Sequence, residues 1–303
     1  FSFFPPHTYH LDMRFENGFT QMTELAEAIS EALHKGRRVV VEHFDLVYPF
    51  LGANANIIIG VGEQVLIARQ MREISTYSFI SSKATAMLGL AEDDERMQQV
   101  KILNPLGDEY STMRTQLTTS MLTVLSTNIS RKIESARFYE ISKRFIPKSL
   151  PVTEQPDELP TLCIGLYGKD EDFFTLKGII EQLMAELSAT VTYTRSSEPY
   201  LHPGRQALVK ANNKECAVFG EVHPVVAESY GIDTRVYVAE IKLDVLLGIE
   251  KRKTVYKPLP KFPAVERDFA MLVDSDVPVG TIEKAISSGA GRLLEKIQLF
   301  DVY

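Results

Sequence analysis

Residues 101–144 read KILNPLGDEYSTMRTQLTTSMLTVLSTNISRKIESARFYEISKR, and this stretch decides the fold. An apolar strand over 100–103 runs into the turn Asn104-Pro105-Leu106-Gly107, where proline presets φ and glycine relaxes it. A long helix is expected over 112–129, because Leu117, Met121, Val124, Leu125 and Asn128 recur at helical spacing. Alternation around Phe138, Tyr139 and Ile141 then marks a half-buried strand over 138–145.

Working outward, the same mixture continues. Upstream, Met22, Leu25, Ile29 and Leu33 form one stripe of a helix over 20–35, with Gly36 placed to end it. Strands are expected over 38–44, as a pair over 57–67, and over 74–80, with a short helix over 82–90 and a solvated acidic loop over 92–95. Residues 147–160 hold four prolines and no apolar period, so a loop is expected throughout. A strand over 161–167 precedes a helix striped by Phe173, Leu176, Ile180, Leu183 and Leu187. Residues 190–194, 207–210 and 216–222 alternate like strands, a helix begins after Pro224, and 236–241 is strand-like again. Strands and helices in this order imply an α+β domain on a largely antiparallel sheet. After a Pro- and Lys-bearing connector over 253–263, a strand (268–273), a helix (279–288) and a strand (294–302) form a β-α-β start, half of a ferredoxin-like unit.

Composition bounds the function. The 303 residues suffice for two or three domains, with 45% hydrophobic and 24% charged residues. No apolar run reaches the roughly 18–20 residues of a membrane helix, so no membrane partner is expected. A net charge of −7 argues against a general polyanion binder and leaves room for a local basic patch; no DNA partner is expected. Cys163 and Cys216 have neither metal-ligand spacing nor a disulfide framework and read as reduced, mostly buried thiols of a cytoplasmic protein. The chain does not begin with Met and reads as a fragment or a processed chain.

Six ordered segments carry a resemblance. They are TYSFIS (76–81), ILNPLGDEYSTMRTQL (102–117), FYEISKRF (138–145), YLHPGRQA (200–207), FGEVHP (219–224) and KPLPKFPAVERDFAMLV (257–273). Together they resemble the bacterial phenylalanyl-tRNA synthetase β subunit over residues 73–303, about three quarters of the chain. The resemblance implies a class II aminoacyl-tRNA synthetase-like antiparallel sheet with flanking helices over 71–250. It implies a truncated ferredoxin-like anticodon-binding domain over 256–303. Residues 1–70 do not resemble that family; VVVEHFDLVYPFLGANANIIIGVGEQV is faintly similar to a bacterial family related to alanyl-tRNA synthetase, as a fused or chimeric segment would be.

In the resembling family this module is a catalytic-like scaffold without the synthetase chemistry. The resemblance therefore implies no catalytic residue and no cofactor on this chain, with ATP and Mg²⁺ expected for the complete enzyme. The implied partners are the catalytic α subunit, in an α2β2 assembly, and tRNA(Phe), with helix 112–129 and its neighbouring strands supplying interface and core. The competing reading is a stand-alone synthetase-like module that binds tRNA or a small ligand, or a truncated fragment without function.

Candidate residues follow. Arg114, after the NPLG turn, is of the type that grips ATP phosphates in class II sites, since a guanidinium offers bidentate bonds and a fixed charge; within a catalytic-like module its expected role is structural or at an interface. Residues 137–144 carry two arginines on a strand but no Arg-x-Glu pattern, so the adenylation machinery reads as incomplete. His202 and His223 each precede a proline and lie near Gly204 and Gly220; with Arg205 they read as a small polar site or as loop braces, and they make a poor zinc signature. Glu42-His43-x-Asp45 lacks a second His, and Gly60-x-Gly62 lacks a third Gly, so neither is a metal or nucleotide motif. No metal site is expected. Lys257, Lys261 and Arg267 form a modest basic cluster, expected to contact tRNA phosphates in the resembling domain.

Overall fold

The computed structural model describes residues 8–12, 21–35, 38–42, 65–187, 189–248, 263–274, 276–300 and 302. The chain divides into two compact units, Phe1–Lys253 and Thr254–Tyr303.

The first unit opens with β1 (Thr8–Asp12), α1 (Met22–His34) and β2 (Arg38–Glu42). β1 and β2 pair in parallel, and α1 lies in the crossover such a pair requires. Leu25, Ala26 and Ile29 are its buried face. Short strands β3 (Arg72–Glu73) and β4 (Phe79–Ile80) follow, then helix α2 (Ser82–Ala86), whose N-cap Ser81 accepts from Lys83 N. After β5 (Thr112–Met113), antiparallel to β4, comes helix α3 (Thr118–Ser130). Then come strands β6 (Ala136–Ile146) and β7 (Asp157–Tyr167), helix α4 (Phe173–Glu186), strands β8 (Val191–Arg195), β9 (Leu201–Ala211) and β10 (Lys214–Val222), helix α5 (Pro224–Ser229), strand β11 (Val236–Lys242) and helix α6 (Leu243–Leu247).

Seven of these strands build one sheet in the order β3-β6-β7-β11-β10-β9-β8, antiparallel except for the parallel β3–β6 pair. The expected α+β class with a largely antiparallel sheet is the observed one. Strand periodicity assigns the two faces. Tyr139, Ile164, Ala239 and Phe219, which register side by side across β6, β7, β11 and β10, belong to a core that α4 closes with Leu176, Ile180 and Leu183. On the other face, Phe138, Cys163, Tyr167 and Val238 pack with Leu117, Met121, Leu122 and Leu125 of α3. Gly165 of β7 makes room for that helix: a Cβ there would stand 2.6 Å from the Met121 side chain.

Several local expectations fall to tertiary pairing. The helix expected from residue 112 begins at Thr118, because Thr112–Met113 is drawn into the β4–β5 ladder and Arg114 N donates to Ser78 O. Strand 74–80 shrinks to Phe79–Ile80, and 100–103 keeps only an isolated bridge between Lys101 and Thr112. The proline-rich loop ends earlier than expected, for Asp157–Pro160 is already strand β7. There the pairing with β11 stops at Thr161, so on that side β7 is an edge, where a proline is tolerated. Of the pair expected over 57–67, residues 57–64 lie outside the described residues, and Val65–Ile67 are helical. His43, Asp45, Gly60 and Gly62 also lie outside them.

In the second unit, helix α7 (Val279–Ala290) forms as expected and ends at Gly291, whose positive φ of 56° a glycine adopts without strain. The flanking segments 268–273 and 294–300 form no ladder among the described residues. Alternation predisposes a segment to strand, but only a paired neighbour satisfies its N–H and C=O groups. No described side chain of this unit is buried.

Candidate functional site

The centre of the first unit is a row of chemistry on the α3 face of the sheet. Glu140 of β6 registers with Cys163 of β7, and Cys163 with Glu240 of β11. Two carboxylates thus flank a buried thiol, and each has a defined partner. Glu140 takes Nη2 of Arg114 at 3.0 Å and the Thr76 hydroxyl at 2.8 Å. Glu240 Oε2 takes Leu117 N at 3.0 Å, Thr118 N at 3.2 Å and the Thr118 hydroxyl at 2.9 Å. A carboxylate here answers the free N–H groups and positive end of α3, a helix whose own N-cap residue, Leu117, has no side chain able to cap it. Burial raises the Cys163 thiol well above its ordinary range, and Glu240 and Glu140 add to that.

Beyond Glu240 the same face opens into a cleft of about 310 Å³. Its floor includes Glu240 and Lys242 of β11, Val218 of β10 and Leu208 of β9; Arg144 of β6 and Gln116 close one side. The other side is built on Arg96, which grips Asp94 with Nε and Nη2 at 2.8 and 2.7 Å and reaches Glu198 with Nη1 at 2.8 Å. Burial would depress Arg96, but Asp94 and Glu198 outweigh it and hold its proton more tightly than usual. Tyr200, behind Arg96, is pushed well up by burial and by Glu198 and Glu240, so its phenol stays protonated.

Arg114 lies behind this row, outside the cleft lining, with all of its groups engaged inside the fold: Nε donates to Lys143 O, and Nη1 to Thr76 Oγ1 and Ser120 Oγ. His202 and His223 each accept, through Nδ1, the N–H two residues on, from Gly204 and Val225 respectively, and His223 is the N-cap of α5. Arg205 pairs with Glu221, Nη2 to Oε1 at 3.0 Å; Nε stands 2.6 Å from Oε2 but off the angle of a hydrogen bond. Among the described residues no three of His, Cys, Asp and Glu are grouped to hold a metal ion. Lys257 and Lys261 lie outside the described residues, and Arg267 is exposed, donating to Glu266 O.

Sequence reasoning missed Gln116 and Glu240, and met Arg144 only as one of two arginines on a strand without the Arg-x-Glu pattern. The signal for Arg144 was parity: it shares the strand face of Glu140, four residues before it. Gln116 and Glu240 carried no such mark: Glu240 is placed by sheet register, and Gln116 by the loop that leads from β5 into α3.

An exposed apolar patch surrounds the NPLG turn. Leu103 and Leu106 are 96% and 93% exposed, Phe79 is exposed, and Tyr77 and Tyr110 meet edge to face at 5.6 Å. By contrast, the apolar face of α3 is spent on the sheet, and its outward residues include Thr123 and Thr127. Among the described residues no helix is long and apolar enough to cross a membrane.

The family model described as the phenylalanyl tRNA synthetase beta chain CLM domain matches residues 53–243, and the ferredoxin-fold anticodon binding domain matches 260–303. The first match starts within the stretch 1–70 that motifs alone had set aside, and buried Leu66 packs in the same core as Met71. The phenylalanine–tRNA ligase beta subunit of Clostridium tetani is 43% identical over 242 residues, and that of Clostridium acetobutylicum 44% over 241. Each alignment covers 79% of this chain and 30% of the relative, so the chain spans less than a third of those relatives' length. A pyrrolysyl tRNA synthetase from Desulfitobacterium hafniense overlays 62% of this chain and 66% of its own at 15% identity, with a TM-score of 0.49, too low to bear on the assignment.

Proposed function

This chain belongs to the phenylalanyl-tRNA synthetase β-chain family, and from that premise we propose that it is a non-catalytic, synthetase-like part of phenylalanine–tRNA ligase. It pairs with the catalytic α subunit and helps to position tRNA(Phe) for ATP-dependent aminoacylation. The observation that carries this reading is the order of the two family matches along one chain, the β-chain module first and the anticodon-binding domain after it.

The geometry supports the non-catalytic part. Arg114, the arginine best suited by sequence to hold a phosphate, is committed to Glu140, Thr76 and a backbone carbonyl. Releasing it would leave a carboxylate buried without its cation. ATP and Mg²⁺ are therefore assigned to the α subunit, in a cytoplasmic α2β2 assembly. The surface for that partner is the patch of Tyr77, Phe79, Leu103, Leu106 and Tyr110, since large apolar side chains grouped in the open mark interaction sites. The tRNA contact is assigned to the second unit, with Lys257, Lys261 and Arg267 on phosphates, which would position the RNA without reading its sequence.

Co-expression with a bacterial phenylalanyl-tRNA synthetase α subunit, followed by size exclusion with light scattering, tests the reading. A stoichiometric complex is expected. A folded chain eluting alone, and binding RNA without α subunit, would replace it with an independent RNA-binding module.

A further inference from the structure

Arg144 lines the cleft with its side chain nine-tenths buried; its buried Nε has no acceptor, and among the described residues the side chain has no hydrogen bond and no ion pair. A guanidinium keeps its charge under all ordinary conditions. An unpaired buried charge is strongly unfavourable unless something answers it. Gln116, on the same side of the cleft and almost wholly buried, leaves its Nε2 donor without an acceptor. Both unanswered groups are donors. Four of the cleft's five carboxylates are, by contrast, already engaged: Glu240 by the start of α3, Asp94 and Glu198 by Arg96, Glu215 by Lys210. Lys242 on the floor adds a cationic side chain with no ion pair among the described residues; Glu95, the fifth carboxylate, is exposed.

We infer that this cleft is a binding site for a small anionic molecule, one whose carboxylate or phosphate group is received by Arg144 and Gln116 with Lys242 alongside. The volume, about 310 Å³, is that of a small-ligand site and not of a macromolecular surface. An acidic terminal group supplies the acceptors that the Arg144 fork and the Gln116 amide lack. The inference stands on the cleft alone and does not require the α-subunit reading.

The test uses the full 303-residue chain, titrated separately with inorganic phosphate and with succinate at ionic strength held constant by sodium chloride. Binding is read by equilibrium dialysis and by the rise in melting temperature. Saturable binding of one anion per chain is expected, with phosphate favoured if the natural ligand is a phosphate ester and succinate if it is a carboxylate. Arg144→Met should weaken that binding about tenfold or more, the cost expected for losing a charge-assisted bond. Without anion it should melt no lower than the parent, since its unpaired charge is gone. Lys242→Met should weaken binding to a smaller degree, and exposed Lys214→Met should leave it unchanged. Failure of both anions to saturate, or unchanged affinity in Arg144→Met, would overturn the site. If Arg144→Met does not fold, unchanged affinity in Lys242→Met overturns it instead.

Discussion

Arg114 and Glu140 meet at 3.0 Å with side chains that are 0% and 3% exposed, tying the loop before α3 to strand β6. Arg114 also reaches Thr76 and Lys143 O, so one guanidinium joins three separate segments. Such a pair contributes little as an isolated attraction, because both ions lose their hydration. Its loss from one side is another matter. Glu140→Ala leaves a buried cation alone and is expected to destabilise the first unit by about 3–5 kcal/mol in urea unfolding. Arg114→Met combined with Glu140→Leu should recover most of that loss.

The close seat of α3 on β7 gives a second expectation. Gly165 stands where a Cβ would press into Met121 and Leu125. Gly165→Val should overpack this contact and cost about 1–3 kcal/mol, more if the helix cannot shift. Near-UV circular dichroism together with urea midpoints would register the change. An unaltered midpoint would mean that α3 is not held against the sheet as described.

Most of the central sheet is legible in the sequence. The alternation of β6 and β10, the short apolar runs of β7 and β11, and the stripes of α3 and α4 are strong enough to read directly. What is not legible depends on partners. Thr112–Met113 continues a helical pattern on paper and becomes strand because β4 lies beside it. Pro160 reads as a loop residue and joins β7 because the neighbouring ladder has already ended. The cleft is the extreme case: Arg144, Gln116 and Lys242 are apart in sequence and share no motif, and they meet only because the sheet places β6 and β11 near the loop before α3. Arg114 attracts notice by residue type, and packing turns it inward to Glu140.

The two thiols predict a pH dependence. Burial pushes Cys216 from the ordinary 9.0 up to about 11. The folded state keeps this proton where the unfolded chain would release it. The resulting stability is full below pH 9.0 and is lost as pH rises through about 11. Urea midpoints should fall across that window, and Cys216→Ala should flatten the fall. Cys163, raised well above its ordinary range by burial, Glu240 and Glu140, should resist alkylation at pH 8 until denaturant is added.

In the second unit Phe269, Met271, Leu272 and Phe300 are exposed, and no described side chain is buried. Local stability follows buried apolar contact, which is scarce here. Limited proteolysis of the isolated chain should therefore cut within 263–303 first and leave a core containing 65–248. Equal resistance of both units would contradict this.

The central claim is that the chain is a partner-pairing scaffold that docks through the NPLG-turn patch. Leu103 and Leu106 stand almost wholly free of the fold, so Leu103→Asp with Leu106→Asp should change stability by no more than about 1 kcal/mol. The most direct measurement is the affinity of the phenylalanyl-tRNA synthetase α subunit for the parent chain and for this double variant. Tight binding by the parent and a loss of about a hundredfold or more in the variant is the expected result, as for residues at the centre of an interface. No binding by a folded parent chain, or equal binding by both, would contradict the account.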